Sequence, residues 1–264
     1  MTMRKESRYN DRKRYFEELA TSSRKYFISY VKGFKGIRGS AVLEIGCGEG
    51  GNLLPFAEEG CEVTGVDIAP KKIENATAFF AETGHSGSFT CCDFLSFPDD
   101  KKYDVIIMHD VIEHIEPEYK ASFLGKALSL LKDDGIIFCA FPSWQMPFGG
   151  HQQICKSRIC SKIPFVHLLP TGLYRRYLNL FNESKPIVDD LMSIKRSQMR
   201  IRKFERLCDE TGAKRLDRTL WLINPHYEIK FGLKPARLVC PFDRIPVLRC
   251  YLATSCFYIL GKKS

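Results

Sequence analysis

The chain has 264 residues, 44% of them hydrophobic, enough to bury the core of one large domain or of a domain with an insertion; we read one domain with an insertion. Its eleven cysteines are odd in number and scattered, and Cys47, Cys61 and Cys139 lie inside apolar runs, which excludes a disulfide framework from the reading and favours reduced thiols. The opening MTMRKESRYNDRKRYFEEL is polar and basic without the apolar stretch of a secretory leader, so the expected location is cytoplasmic.

Forty Lys and Arg against 31 Asp and Glu leave a formal charge of +9, and residues 193–249 hold 14 basic and 6 acidic side chains. Such a face suits phosphate, an anionic membrane surface or an acidic substrate, and equally a plain solvated exterior.

In chain order, residues 9–34 place Tyr15, Phe16, Leu19, Tyr26, Phe27 and Tyr30 at mostly helical spacing, interrupted near Thr21, Ser22 and Ser23. The pattern predicts a pair of helices lying across the domain. Strand-like and helix-like runs then alternate: AVLEIG (41–46), a helix in NLLPFAEEG, EVTGVDI (62–68), a helix in KKIENATAFFAETG ending at Gly84, and SFTCCDF (88–94). YDVIIMHD (103–110), a helix in EYKASFLGKALSLLKDDG and GIIFCAFP (135–142) follow. This alternation predicts a parallel sheet covered on both faces and joined by right-handed crossovers.

Between Pro142 and about Met199 the alternation fails in a stretch rich in Pro, His and aromatic residues, too long for an ordinary loop and read as a partly helical cap. A helix from Ile201, a strand AKRLDRTLWLI and a closing strand in LATSCFYILG complete a sheet of seven strands. That last run is too short and too interrupted by Thr254 and Ser255 to span a bilayer. Within the cap, His151, Cys155, Cys160 and His167 form the tightest candidate zinc set, but they lack a close CxxC pair and are read as loop and core residues.

VLEIGCGEGG (42–51) sits where an open parallel sheet binds ligands, at the carboxyl end of its first strand. Glycines there allow a sharp turn, close approach of backbone to ligand and presentation of helix-terminal amides; a bare strand-to-helix turn is the alternative. Asp67, 21 residues after Gly46, ends the second strand where a carboxylate accepts both ribose hydroxyls. Asp93 ends the third beside Phe94, placed for an adenine amino group and ring. Three such features at adjacent strand ends describe a nucleoside site.

At these residues the chain resembles the class I S-adenosylmethionine-dependent methyltransferases, especially small-molecule members similar to the ubiquinone-pathway O-methyltransferases. VLEIGCGEGG, VTGVDIAPKKIENA, CCDF and YDVIIMHDVIEHI match their first four motifs, over residues 41–142. The resemblance implies a Rossmann-like α/β methyltransferase fold with a mostly parallel seven-stranded sheet, helices on both faces and a cap insertion. It divides the chain into N-terminal helices (1–38), a cofactor-binding core (39–141), the cap (142–200) and a return to the sheet (201–264).

It further implies S-adenosylmethionine as cofactor. Glu44, Gly46, Cys47, Gly48 and Gly50 would lie at its amino-acid end, Asp67 and Ile68 at the ribose, and Cys92, Asp93 and Phe94 at the adenine, with His109 lining the site. A dinucleotide oxidoreductase competes, but its loop is GxGxxG, whereas this one is GxGxG preceded by an acid, and Glu44 and Glu49 would repel a pyrophosphate.

Methyl transfer is an in-line displacement that needs an aligned nucleophile and, for a hydroxyl, a nearby base or metal. His109 at the strand end and His151 of PFGGHQQIC, where Gly149 and Gly150 would let the loop fold down, are the candidate bases. The resembled enzymes carry an acid-x-x-Glu-His set that can hold a divalent cation. Here it reads Asp110, Glu113, His114, which a helix starting there would bring to one face; the shorter Asp favours capping and bracing over a metal. The expected partner is a small or amphipathic, even lipid-linked, acceptor methylated at oxygen, with membrane contact limited to the surface. A nucleic-acid methyltransferase is the alternative prompted by +9, although HDVI stands where an Asn/Asp-Pro-Pro-aromatic loop is expected and no appended RNA-binding pattern is visible. A noncatalytic S-adenosylmethionine-binding protein is the other alternative.

Overall fold

A computed structural model of the chain describes residues 11–98 and 100–263. Its centre is an eight-stranded sheet in the order β3-β2-β1-β4-β5-β8-β6-β7. The strands are β1 (Ala41–Ile45), β2 (Glu62–Asp67), β3 (Ser88–Cys91), β4 (Tyr103–His109), β5 (Leu131–Phe141), β6 (Ala213–Ile223), β7 (Ala236–Arg237) and β8 (Ser255–Lys262). Pairing is parallel from β3 through β5, while β8 runs antiparallel between β5 and β6. The expected count of seven strands is corrected to eight: β7 is a two-residue edge strand on β6, too short for any sequence period to register.

Side-chain alternation explains why both faces are closed. On β4, Val105 and Ile107 point to one side and Ile106 and Met108 to the other, and all four are buried. The first side is covered by helices α1 (Arg12–Ser22), α2 (Ile28–Lys32), α3 (Leu54–Glu58) and α4 (Pro70–Glu82), through Phe16, Val31, Phe56 and Phe80, and by Phe27 between α1 and α2. The second is covered by α5 (Lys120–Leu130) and by α8 (Ile201–Thr211), through Phe123, Leu124, Phe204 and Leu207.

The N-terminal segment departs from the expected pair of helices. From residue 11 onward, α1 and α2 are joined without a break by a π-helical turn, Ser23–Phe27, so the interruption at Thr21, Ser22 and Ser23 marks an inserted residue rather than a stop. The turn lets the Ser23 hydroxyl donate to the Asn52 carbonyl at 2.7 Å, tying the helix to the loop after β1. The part of this segment before residue 11 lies outside the described residues.

Between β5 and α8 the chain forms 3-10 turns followed by α6 (Thr171–Leu180) and α7 (Lys185–Ser197). This cap has its own small core, built on Cys155, Val166, Tyr174, Leu178, Leu191 and Met192. Lys195 of α7 staples it, donating to the carbonyls of His167 and Leu169 at 2.7 Å each while its ammonium lies 5.5 Å from the ring centres of Trp144 and Tyr174. The remaining helices, α9 (His226–Phe231) and α10 (Pro246–Leu252), lie between the last strands. Among the described residues no helix is long and apolar enough to cross a membrane.

Phe138 of β5 is fully buried against Phe27, Tyr30 and Phe257. Phe138→Ala is expected to cost about 3–5 kcal/mol in urea unfolding, whereas truncating the 75%-exposed Leu180 to Ala should change stability by no more than about 0.5 kcal/mol.

Candidate cofactor and acceptor site

The loop after β1 turns back at once: the amides of Gly46 and Cys47 both donate to the Val66 carbonyl on β2. Gly46 and Gly48 have φ of 71° and 55°, the left-handed region where a side chain is strained. They differ in what a side chain would meet. A Cβ on Gly46 would stand 2.5 Å from Val111 in the turn after β4, whereas one on Gly48 would meet nothing within 4 Å. Gly46 is therefore needed for packing between two strand ends, and Gly48 borders open space.

Asp67 closes the loop from below. It is buried, one oxygen accepts the Gly48 amide at 3.0 Å and the other the Ala69 amide at 2.9 Å, and the Lys72 ammonium stands 3.7 Å away. Glu44 lies beneath the same loop, essentially inaccessible, with one oxygen accepting from the Asn52 amide at 2.7 Å and the other without a partner. Burial, opposed by the Asn52 bond and reinforced by the Asp67 charge, pushes its carboxyl up to about 8. Glu49 is likewise buried and pairs with Arg12 of α1 at 3.4 Å.

Past the end of β3, Cys92 is half-buried and Asp93 is exposed, its carboxylate capping the turn at Phe94 by accepting the Leu95 amide. Phe94 was expected to cover an adenine ring, but it is buried among Phe97 and Phe123. The 3-10 turn it opens directs it under α5. The apolar side chain left open beside Asp67 is Ile68, 73% exposed.

Past β4 the expected helix does not form. Asp110 takes φ 53°, residues 111–114 make a turn, and regular helix begins only at α5. Asp110, Glu113 and His114 consequently do not share one helical face. Asp110 stands 3.7 Å from the His109 imidazole, and His109 packs its ring 4.8 Å from that of Phe27 in the π turn. Glu113 and His114 are instead joined by His151 from the cap: both imidazole Nε2 atoms lie 4.0 Å from Glu113 Oε1, and the two rings are 5.0 Å apart.

Both Glu113 oxygens are buried without a hydrogen-bond partner, and burial together with the Asp110 charge pushes its carboxyl well above the usual range. Burial holds the His114 imidazole below its ordinary value; at His151 burial and the neighbouring His114 lower it to about 4. His151 itself has φ 57°. The glycine before it is no hinge, because a Cβ on Gly150 would lie 2.2 Å from the His167 side chain. The cap loop is packed in place.

The tightest candidate zinc set of the sequence, His151, Cys155, Cys160 and His167, does not converge on one point. His151 faces Glu113, His167 bonds the Trp144 carbonyl at 2.7 Å, and the Cys155 and Cys160 sulfurs lie 3.3 Å apart beside Glu183. All eleven cysteines are free.

Several side chains around the site carried no sequence signal. Lys120 of α5 is buried and donates to the Ile112 carbonyl and to the Ser197 hydroxyl, holding the turn that carries Glu113 against the end of α7. Tyr227 of α9 is close enough to Asp110 for that charge to add to burial in pushing its phenol up to about 12. His226 shares a 2.8 Å hydrogen bond with Ser22, and Glu228 accepts from Tyr26 and Lys25, so α9 is strapped to α1 over this end of the sheet. These contacts join segments some 200 residues apart, and no local pattern encodes them.

Residues 42–135 match the family model of a methyltransferase domain. Over these residues the chain carries a methyltransferase domain. Among curated proteins, it is similar to the ubiquinone biosynthesis O-methyltransferase of Rickettsia conorii, 39% identical over 28% of this chain and 26% of that one. The namesake from a Bradyrhizobium strain is 31% identical over 40% of this chain and 42% of its own length. The aligned part thus spans less than half of these relatives. Among solved structures, a methyltransferase from Clostridium acetobutylicum superposes with a TM-score of 0.58 at 10% identity, over 92% of each chain. The magnesium protoporphyrin IX methyltransferase of Synechocystis, with bound S-adenosylhomocysteine, gives 0.57 at 14% identity over 95% of this chain and 84% of that one. These likenesses establish the fold.

Replacing Asp67 by Ala removes the acceptor of two loop amides at once. Calorimetric titration is expected to show loss of S-adenosylmethionine affinity by about a hundredfold or more, with an unchanged circular dichroism spectrum; unchanged affinity would remove Asp67 from the methyltransferase domain's cofactor site.

Proposed function

We propose that this chain transfers the methyl group of S-adenosylmethionine to a hydroxyl oxygen of a small amphipathic acceptor. In this reading the cofactor lies along the ends of β1, β2 and β3, with Gly48 giving backbone clearance, Asp67 holding the ribose and Asp93 at the adenine. The insertion 142–200 serves as the acceptor's cap. The observation that carries the proposal is His151, held beside buried Glu113 at the end of β4.

The chemistry follows from that placement. The sulfonium supplies an electrophilic methyl group, and the protein has to align an oxygen behind it and take its proton as the bond forms. An imidazole lowered to about 4 is neutral throughout the physiological range and free to accept a proton. Glu113, whose carboxyl burial and the Asp110 charge push well above the usual range, keeps its proton near neutrality, and it would stabilise an imidazolium at His151 only by giving that proton up. His109 packs against Phe27 with its ring tilted and faces Asp110, a placement that suits a wall of the acceptor pocket.

Glu113, His114 and His151 also fit a divalent cation, since one ligand atom from each lies within 4.8 Å of the others and the carboxylate oxygens are otherwise unpartnered. A cation bound there would make an acceptor hydroxyl more acidic. His151 of the cap, rather than Asp110, would be its third ligand.

With a catechol-type hydroxyl acceptor, His151→Ala is expected to lower kcat by about 100-fold or more while leaving S-adenosylmethionine affinity unchanged. In the unsubstituted protein kcat/KM should be flat near neutrality and fall as pH drops toward about 4, where His151 takes up a proton. A profile that His151→Ala leaves intact would assign the proton transfer elsewhere.

A further inference from the structure

Large apolar side chains gather on the outer surface of the cap and on the segment before β8. In that segment Val239 and Val247 are 63% and 66% exposed, and Phe242, Ile245, Leu248 and Tyr251 are exposed with them. On the cap, Ile159, Ile163, Phe165, Leu169 and Leu173 are exposed in the same way. The two groups adjoin, for the rings of Phe165 and Tyr251 lie 6.3 Å apart. Scattered single hydrophobes on a surface call for no explanation, but a joined patch of this kind marks a contact face.

Charge identifies what it contacts. None of residues 135–182 is acidic, while five of them are Lys or Arg, and residues 239–251 add the exposed Arg244 beside Asp243, Arg249 being buried and paired with Glu205. Lys162, Arg175 and Arg176 are exposed among the apolar side chains of the cap, and Arg244 among those of the second segment. Bulky apolar groups with cations among them, and no spanning helix among the described residues, match a bilayer surface bearing anionic headgroups: the hydrocarbon enters the interface and the cations stay with the phosphates. A protein partner would need its own acidic rim, whereas an anionic bilayer presents negative charge wherever the patch lands.

We infer that this face docks the protein on an anionic lipid surface. The patch is continuous with the site described above. Gln152, next to His151, donates to the carbonyls of Pro147 and Ile163, and the Phe165 amide donates to the Pro147 carbonyl. Docking therefore brings the cap loop that carries His151 to the membrane, where an amphipathic acceptor is concentrated. The inference extends the proposed choice of acceptor but stands on this surface alone, so lipid binding and methyl transfer succeed or fail separately.

The full chain is floated with vesicles of phosphatidylcholine containing about 30 mol% phosphatidylglycerol, and with vesicles of phosphatidylcholine alone, at about 0.1 M salt. Binding is expected to the anionic vesicles, at least about tenfold weaker to the neutral ones and weakened again at about 0.5 M salt. The double substitution Phe242→Asp with Val247→Asp, and separately Leu173→Asp on the cap side, should each reduce it by about tenfold or more while S-adenosylmethionine affinity is retained. No flotation with anionic vesicles overturns the inference, as does flotation that neither variant weakens. A dimer in sedimentation velocity that the same substitutions dissolve assigns the face to a second copy instead, and retention by single-stranded RNA that they abolish assigns it to nucleic acid; either result, without vesicle binding, also overturns it.

Discussion

A parallel sheet buried on both faces leaves polar chemistry no place but the ends of its strands. On β1, β2, β4 and the second half of β5 most side chains are committed to one of two apolar layers, and three acids stand where those layers stop: Asp67 at the end of β2, Asp93 past β3, Asp110 past β4. The same constraint explains why the loop after β1 is so tightly specified. Its turn has to clear Val111 on one side and leave open space on the other, and Gly46 and Gly48 divide those two tasks between them.

The site is built around carboxylates that the fold isolates from water. Glu44 and Glu113 are both deeply buried with at least one oxygen unpartnered, a state that costs several kcal/mol unless a proton or a positive charge answers it. Glu44 is partly answered by Asn52, and through Asn52 and Ser23 the π turn of the N-terminal helix is fixed to the loop. Glu113 has two imidazoles near it and no hydrogen bond, so its burial is the less compensated of the two. A buried carboxyl in that condition keeps its proton until positive charge stands beside it, and the proton transfer proposed for His151 would bring such a charge.

What was legible in the sequence followed from local periodicity and turn chemistry. The apolar runs at 41–46, 62–68 and 103–110 became β1, β2 and β4, and the helix ahead of Gly212 and the strand AKRLDRTLWLI became α8 and β6. Phe94 shows where the reading ran out: adjacency to Asp93 suggested a ring over the adenine, but a 3-10 turn rotated the side chain into the core. Asp110 shows it again, because a left-handed residue after β4 replaced the helical start on which the Asp-Glu-His grouping depended. His151 was legible as a residue type but not as a neighbour of Glu113. That proximity rests on Lys120 and Lys195, two buried lysines whose acceptors are carbonyls and a hydroxyl scattered over 80 residues.

Those lysines also say how the cap is kept. A buried ammonium satisfied by carbonyls rather than by an acid is costly to form and hard to displace, since each donor lost leaves an uncompensated charge in the interior. Burial, with Lys203 nearby, lowers Lys120 to about 7, and even so its bonds join the Glu113 turn to Ser197 at the far end of α7. The cap therefore does not behave as a loose flap over the sheet. Its inner edge is anchored to the turn past the carboxyl end of β4, its small core sets the spacing of α6 and α7, and its outer, apolar and basic surface is left without a structural task. A segment that spends buried charge to hold one side rigid and leaves large hydrophobes in water on the other is shaped by two contacts, one inside the molecule and one beyond it.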